Sequence, residues 1–460
     1  MHSDPANTIQ LHQLLAQMGK QGKVTDAKEI LGSENCLAVI TGQQPNLLLG
    51  PTLILHKIFT AVSLSRWLKN NGINAVPVFW NASEDHDQGE ILRTHQLSFD
   101  GNLRKLRLSS QQEGAVEALP WTAELSGLIN ELPDFSRSLF EGGYGDRYGD
   151  HFNVALKRLF EKDELVILEP RNLPDSEKFW QQVDEKAAEI VAGFEADEQD
   201  ILAQGKTLQA PRRTAIPLFA LDGKTGVRIP LIYENSQWSR KGEGKYSKSL
   251  FDLLRRGERF SPGALLRPAL AQFHLPIMVS VLGPAEYEYH FQNERLFETL
   301  GLHRPVLWPR LKGTFLPQEM RSEIENCGIQ VEEFLKSPVD HFQEWKIKQP
   351  DLLKGLESEM MSLKKNMRDS MPHHQGAMAE FERKMHGAFF ALERKVKLEA
   401  WQAQGLPVKQ LGQIARFLTP RSLPQERTLG SLFMLRDKEH FLQIQAQFDD
   451  VFDSSHRLYS

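Results

Sequence analysis

Three segments carry residue types suited to chemistry: Gly42-Gln43-Gln44-Pro45, Glu84-Asp85-His86-Asp87, and Gly283-Pro284 running to Glu286, Tyr289 and His290. In the second, Glu84, Asp85 and Asp87 surround the His86 imidazole. That set can supply a general base with an orienting carboxylate, bind a hard cation, or anchor an ammonium group. The plainer reading is a solvated helix start, where acidic residues favour the dipole. In the third, Glu286 falls where a carboxylate commonly caps a helix. Glu286, Tyr289 and His290 also stand three and four residues apart and share a helix face. The first segment runs on to Gly50-Pro51-Thr52. Gly42 permits a sharp turn, Gln43 and Gln44 are neutral donors and acceptors, and Gly50-Pro51 suits a helix start. Free N–H groups at such a start can hold a carboxylate or phosphate. His56 and Lys57 follow one to two turns on, with a helix boundary and a satisfied core histidine as the plainer reading. Arg310 adds a planar cation suited to phosphate or carboxylate.

What must position these residues is a set of buried strands. LAVIT (37–41), AVPVFW (75–80, ending in Trp80), PIMVSVL (276–282) and PVLW (305–308) are compact apolar runs of the kind that parallel sheets bury on both faces. A helical recurrence over 52–70 links the first two into a βαβ unit, whose crossover is right-handed. Each candidate segment follows one of these strands. Open α/β sheets bind ligands outside the carboxyl ends of their strands, so the segments are expected to converge on one crevice.

The chain divides into an N-terminal helical segment (1–36, with a short helix at 8–18), a first half-core (37–95), a mixed insertion (96–260), a second half-core (261–316), a helical region (317–419) and a C-terminal helical segment (420–460). Within the insertion, LVILE (165–169) is a further candidate core strand, 175–204 a helix, and 220–234 a hairpin. Leu352, Leu356, Met360, Leu363 and Met367, then Met378, Phe381, Met385, Phe389, Leu392 and Val396, form two stripes at helical spacing. These predict an antiparallel hairpin or coiled coil. A final helix is expected at about 430–447.

A net charge of −5 gives neither a nucleic-acid footprint nor a polybasic membrane surface. No run spans a bilayer or resembles a signal peptide, and Cys36 and Cys327 suggest no disulfide framework; a cytoplasmic protein is expected. Lys245-Tyr246-Ser247-Lys248-Ser249 looks like the Lys-Met-Ser-Lys-Ser loop of class I aminoacyl-tRNA synthetases, but it precedes PIMVSVL, and Ser247 as a helix N-cap is a sufficient reading. Gly223-Lys224-Thr225 lies in a hairpin pattern, the glycines of 142–149 read as a loop, and His373-His374 sits at a helix break.

The segments together resemble the BshC family, the cysteine-adding ligases of bacillithiol biosynthesis. The matching words are Gly42-Gln43-Gln44, Leu48 through Gly50-Pro51, His56-Lys57, Phe79-Trp80, Glu84-Asp85-His86-Asp87, Arg267-Pro268, Gly283-Pro284 with Glu286 and Tyr289, Pro309-Arg310-Leu311 and Pro424-Gln425-Glu426-Arg427. The segment before the first strand is shorter than family members carry. The resemblance implies a Rossmann-like α/β core related to nucleotidyltransferases and class I synthetases, inserted connective segments, and a C-terminal helical coiled coil that dimerises. It also implies a reaction joining the carboxyl group of cysteine to the amine of glucosaminyl-malate. A carboxylate does not acylate an amine unaided, so ATP is the expected co-substrate, through an aminoacyl-adenylate. On this reading the Gly50-Pro51 helix start, His56 and Lys57 stabilise phosphate charge. Asp85, His86 and Asp87 hold the cysteine ammonium or deprotonate the amine, and Arg310 holds malate or phosphate. With two cysteines, no thiolate metal site is expected. The rival readings are a non-catalytic nucleotide-binding dimeric scaffold and an adenylate-forming ligase for another amine.

Overall fold

Five apolar runs pair edge to edge as an all-parallel sheet. They are β1 (Leu37–Gln43), β2 (Ala75–Asn81), β3 (Val166–Leu168), β4 (Ile277–Leu282) and β5 (Val306–Pro309). The computed structural model describes residues 36–97, 102–109, 114–141, 146–173, 176–336, 351–371, 374–403 and 407–457. The helix expected at 8–18, the glycines at 142, 143 and 145, and His373 lie outside these residues. The spatial order β5-β4-β1-β2-β3 reverses direction between β1 and β4. That reversal is the topological switch point at which doubly wound sheets bind ligands. LVILE enters the sheet as its edge strand, pairing Val166, Ile167 and Leu168 with Val78, Phe79 and Trp80.

The sheet is buried on both faces because its strands carry apolar residues at successive positions. Ala38 and Ile40 face a core with Phe179, Trp180, Ile190, Leu266 and Leu270. Val39 faces the opposite core with Ala61, Leu64 and Trp67 of helix α1 (Leu53–Asn70), together with Phe452. Phe59 of α1, fully buried, meets Phe160, Phe441 and Phe448 at ring distances of 5.5, 5.4 and 5.1 Å. Burying a side chain of that size is worth about 1.5–3 kcal/mol.

The entry to α1 is left-handed at Leu48 (φ 51°), Leu49 (φ 61°) and Gly50 (φ 58°). For a non-glycine residue this costs about 1–2 kcal/mol. Both leucines are buried, which offsets the strain, and the loop is tied on several sides. Leu48 N donates to His151 Nε2 (3.2 Å), Ser431 Oγ donates to Leu49 O (3.3 Å) and Ser431 N donates to Gly50 O (2.8 Å). At Gly50 a Cβ would lie 2.6 Å from that of Asn46, so the position excludes side chains.

A second, antiparallel sheet takes the order 258–262, 218–222, 228–234, 237–240, 246–247. The Gly223-Lys224-Thr225 segment is its hairpin turn, with Asp222 Oδ1 accepting from Lys224 N (2.9 Å) and Thr225 N (2.7 Å). Ser247 is not a helix N-cap. It lies in the edge strand Tyr246–Ser247, donates to Asp252 Oδ2 (2.8 Å) and accepts from Ser249 N (3.1 Å). After Gly283 the chain forms a short helix α2 (Pro284–Tyr289), a 3₁₀ turn at His290–Asn293, and a second short helix Glu294–Thr299. At the 3₁₀ turn the buried Asn293 amide donates to Leu265 O (2.9 Å). The expected final helix is two pieces, Ser431–Met434 and Lys438–Arg457.

Packing separates the described residues into two units: 36–96 with those of 104–313 and 426–457, and those of 97–103 with those of 314–425. The first contains the sheets described above. In the second, helices Asp351–Ser370 and Gln375–Ala403 run antiparallel. Arg368 forms a bidentate pair with Glu382 (2.7 and 2.8 Å) and Lys364 meets His386 one turn on. Among the described residues no helix is long and apolar enough to cross a membrane. Cys36 and Cys327 are free thiols.

Candidate active site

A cavity of about 280 Å³ opens at the switch point. Gly42, Gln43 and Gln44 come from the end of β1, Ser280 and Leu282 from β4, and Trp80 from β2. Asp85 follows β2, Glu286, Tyr289 and His290 follow β4, and Arg267 with Pro268 opens helix Arg267–His274. Gly42 pairs in register with Trp80, and a Cβ there would lie 3.0 Å from Trp80 O, so a side chain would push the strands apart by tenths of an ångström at the cavity mouth. The three segments singled out in the sequence therefore do converge on one cavity.

Their members do different things. Lys57 reaches from α1 to Gly42 O (3.0 Å), Gln43 Oε1 (2.8 Å) and Glu286 Oε2 (2.6 Å). Glu286 also accepts from Gly283 N (2.7 Å), so it is a helix cap and an ion-pair partner at once. Burial pulls the Lys57 ammonium below its ordinary value, against the opposing pull of Glu286. Burial pushes the Glu286 carboxyl up, but Lys57 and the Gly283 N–H outweigh it and hold it below the ordinary range. His290, whose Nδ1 pairs with Glu286 O at 2.7 Å, is pulled down by burial to about 4 and is neutral at pH 7. Burial raises the Tyr289 phenol, which stays a proton donor.

Asp85 is fixed by Gln44 Nε2 (2.9 Å), His86 N (2.7 Å) and Asp87 N (3.1 Å). Burial raises its carboxyl, but the Arg267 charge and the Gln44 bond prevail and keep it ionised. It is a permanent anionic pole. The other acids of the segment face elsewhere. Glu84, fully buried, accepts from Ser261 Oγ (2.8 Å) and Arg259 Nη1 (3.3 Å). Asp87 caps the helix at 88–91 by accepting from Glu90 N (3.1 Å). His86 is more than half exposed, with Nδ1 3.8 Å from Asp85 Oδ1 and 3.5 Å from Arg228 Nη1.

Two expectations fail on geometry. The α1 start at Gly50-Pro51 is not an open anion site: Thr52 N donates to Leu429 O (2.8 Å) and Pro51 bridges Gly430, so the 429–431 segment seals it. His56 and Arg310 are outside the cavity lining. Arg310 makes a bidentate pair with Glu426 (2.7 and 2.6 Å), and His56 Nδ1 lies 3.3 Å from the same carboxylate. Their partner stands 116 residues after Arg310, beyond the reach of local patterning. Conversely, Arg267 is a cavity residue that the candidate segments left out. Its place beside a proline in a family word was the available signal. Among the described residues no group of three histidine, cysteine or acidic side chains is disposed to hold a metal ion.

The description "Bacillithiol biosynthesis BshC, N-terminal Rossmann-like domain" belongs to a family model that matches residues 6–311. Relatives named "Putative cysteine ligase BshC" from Bacillus thuringiensis (strain Al Hakam) and Bacillus cereus (strain 03BB102) are each 25% identical over 441 residues, spanning 88% of this chain and 81% of theirs. The protein of the same name from Bacillus cereus (strain ATCC 10987 / NRS 248) is 24% identical over the same length.

Proposed function

Because the chain belongs to the BshC family of bacillithiol biosynthesis, we propose that it is the ligase joining L-cysteine to the amine of glucosaminyl-malate, with the switch-point cavity as its active site. The observation that carries the reading is the placement of Gln43, Gln44, Asp85, Arg267 and Glu286 around one cavity at the carboxyl ends of β1 and β4. At about 280 Å³ the cavity is just below the usual ligand-pocket range of about 300–1,000 Å³, so it takes one small substrate and leaves the others at its mouth.

ATP is the co-substrate on this reading. The cysteine carboxylate attacks the α-phosphorus and pyrophosphate leaves; the amine then attacks the activated carbonyl, AMP leaves, and one proton is released. Asp85 anchors the ammonium. Arg267, at the cavity wall, and Lys57, fixed behind Gly42 and Gln43, supply positive charge where oxyanions develop. The Asp85 and Glu286 carboxyls are held below their ordinary range and are weak bases, so the exposed His86 imidazole, outside the cavity lining but 3.8 Å from Asp85 Oδ1, is the proton acceptor for the amine. Two copies assemble through the helical hairpin of the second unit, where Met361, Leu363, Phe381 and Leu392 are exposed apolar side chains. The reactions run in the cytoplasm.

The test is incubation of purified protein with cysteine, glucosaminyl-malate and ATP, followed by mass spectrometry for the cysteinyl product. Carboxyl-¹⁸O cysteine should pass label to AMP. Label in inorganic phosphate would instead mean an acyl phosphate, and no product would favour a nucleotide-binding scaffold. Product formed only with another amine would identify a different ligase.

A further inference from the structure

Three arginines of this fold bind carboxylates in bidentate fashion. Arg240 pairs with Glu258 (2.5 and 3.0 Å), Arg259 with Glu117 (2.7 and 2.8 Å), and Arg310 with Glu426 (2.7 and 2.6 Å). Arg267 does not. Its nearest carboxylate oxygen is Glu84 Oε1 at 3.8 Å from Nε, too long for a hydrogen bond, and both atoms are buried without a hydrogen-bond partner. The side chain is about one-fifth exposed and lines the cavity. A guanidinium offers five N–H donors in a planar fork matched to a carboxylate. Leaving a donor of such a group without a hydrogen bond in a cavity wall costs stability that a ligand oxyanion restores.

The same cavity holds the opposite pole. Asp85 spends its oxygens on Gln44 Nε2 and on the His86 and Asp87 N–H groups, yet each carboxylate oxygen has further lone pairs, and the residue lines the cavity. Arg267 is close enough to Asp85 to be the leading charge that keeps it ionised. The remaining wall, with Ile40, Trp80, Ala271 and Ile277, is apolar.

We infer that Arg267 and Asp85 grip a zwitterionic α-amino acid from its two ends, Arg267 taking the carboxylate and Asp85 the ammonium, with a short side chain against the apolar wall. This deepens the ligase reading and rests on it for the identity of the amino acid. Arg267 then holds the carboxylate in place until it is activated.

Calorimetric titration of the full chain under reducing conditions with L-cysteine, cysteamine (no carboxylate) and 3-mercaptopropionate (no ammonium) tests the grip. Wild type should prefer L-cysteine to either analogue by about 10–100-fold, the worth of one charged hydrogen-bonded contact. Arg267→Gln should bind L-cysteine no better than cysteamine. Asp85→Asn should bind it no better than 3-mercaptopropionate, and Arg267→Lys should fall between wild type and Arg267→Gln. Wild-type cysteine affinity in Arg267→Gln, or equal affinity of the native protein for cysteamine and L-cysteine, overturns the inference. So does an Arg267→Gln protein that loses MgATP but keeps cysteine, since the oxyanion held would then be phosphate. If the glutamine variant does not fold, the native analogue series and Arg267→Lys decide. Turnover separates the two readings: an unchanged KM for cysteine in Arg267→Gln defeats the grip alone, whereas cysteine binding without product defeats the ligase alone.

Discussion

Lys57 Nζ lies 2.6 Å from Glu286 Oε2, so the helix after β1 is tied to the helix after β4 across the switch point. The pair spans the place where the two halves of the sheet diverge. Its lysine is almost fully buried and its glutamate about one-quarter exposed.

Glu286→Gln removes the counter-charge of a buried ammonium. Breaking a buried pair from one side costs about 3–5 kcal/mol. Lys57 keeps Gly42 O and Gln43 Oε1, so the loss falls at the lower end, about 3 kcal/mol by urea unfolding. The double change Lys57→Met/Glu286→Gln should recover much of it. A Glu286→Gln protein as stable as wild type would show that the pair contributes little.

Acid should weaken the fold in two stages. His151 and His290 are pulled by burial from 6.5 to about 4, and burial lowers His56 too. The unfolded chain takes up these protons first, so stability falls as pH drops from about 6.5 towards 4, by about 3 kcal/mol for each fully shifted group. Glu426 follows: burial raises its carboxyl, but the His56 and Arg310 bonds bring it down to about 2. Its contribution is present above about 4.5 and lost as pH falls towards 2. A melting temperature flat from pH 7 to 4 would contradict this.

Arg310→Met should destabilise the protein by about 3 kcal/mol or more, because Glu426 loses its bidentate partner in a buried site and keeps only His56. Since Arg310 is outside the cavity lining, KM for each substrate should stay within about twofold. A selective rise in one KM would move Arg310 into the binding site.

His86→Ala and Asp85→Asn should differ. The imidazole is solvent-exposed beside Asp85 and replaceable by buffer bases, so its loss should lower kcat by about 10²-fold at most and be partly rescued by added imidazole. Asp85→Asn should raise KM for cysteine, with the fold retained. Equal effects on kcat alone would contradict the division of roles.

Sedimentation of wild type at micromolar concentration should give a two-protomer mass, and Phe381→Glu with Leu392→Glu a folded monomer. A native monomer, or a dimer surviving both changes, would assign the hairpin another purpose.

Much of this was legible because buried parallel strands are continuous apolar runs, and LAVIT, AVPVFW, PIMVSVL and PVLW each became a core strand. Gln44 and Asp85 were legible because both directly follow strands. The role of Arg310 was not, since nothing near it in sequence announces Glu426. The Gly50-Pro51 start looked open because its cover, Leu429 O, arrives from the far end of the chain. For the same reason the return of residues from 426 onward to the first unit was missed. Arg267 was hidden because arginine at a helix start is common on surfaces, and only the fold turns it towards a cavity.

The most direct measurement of the central claim is product formation by wild type and Ala264→Trp side by side. Ala264 lines the cavity and is only partly buried, so an indole there fills the space without entering the sheet core. With cysteine, glucosaminyl-malate and ATP, wild type should form the cysteinyl product, and Ala264→Trp, with a similar melting temperature, should form none. Product at the wild-type rate from Ala264→Trp, or none from wild type, would contradict the assignment of ligation to this cavity.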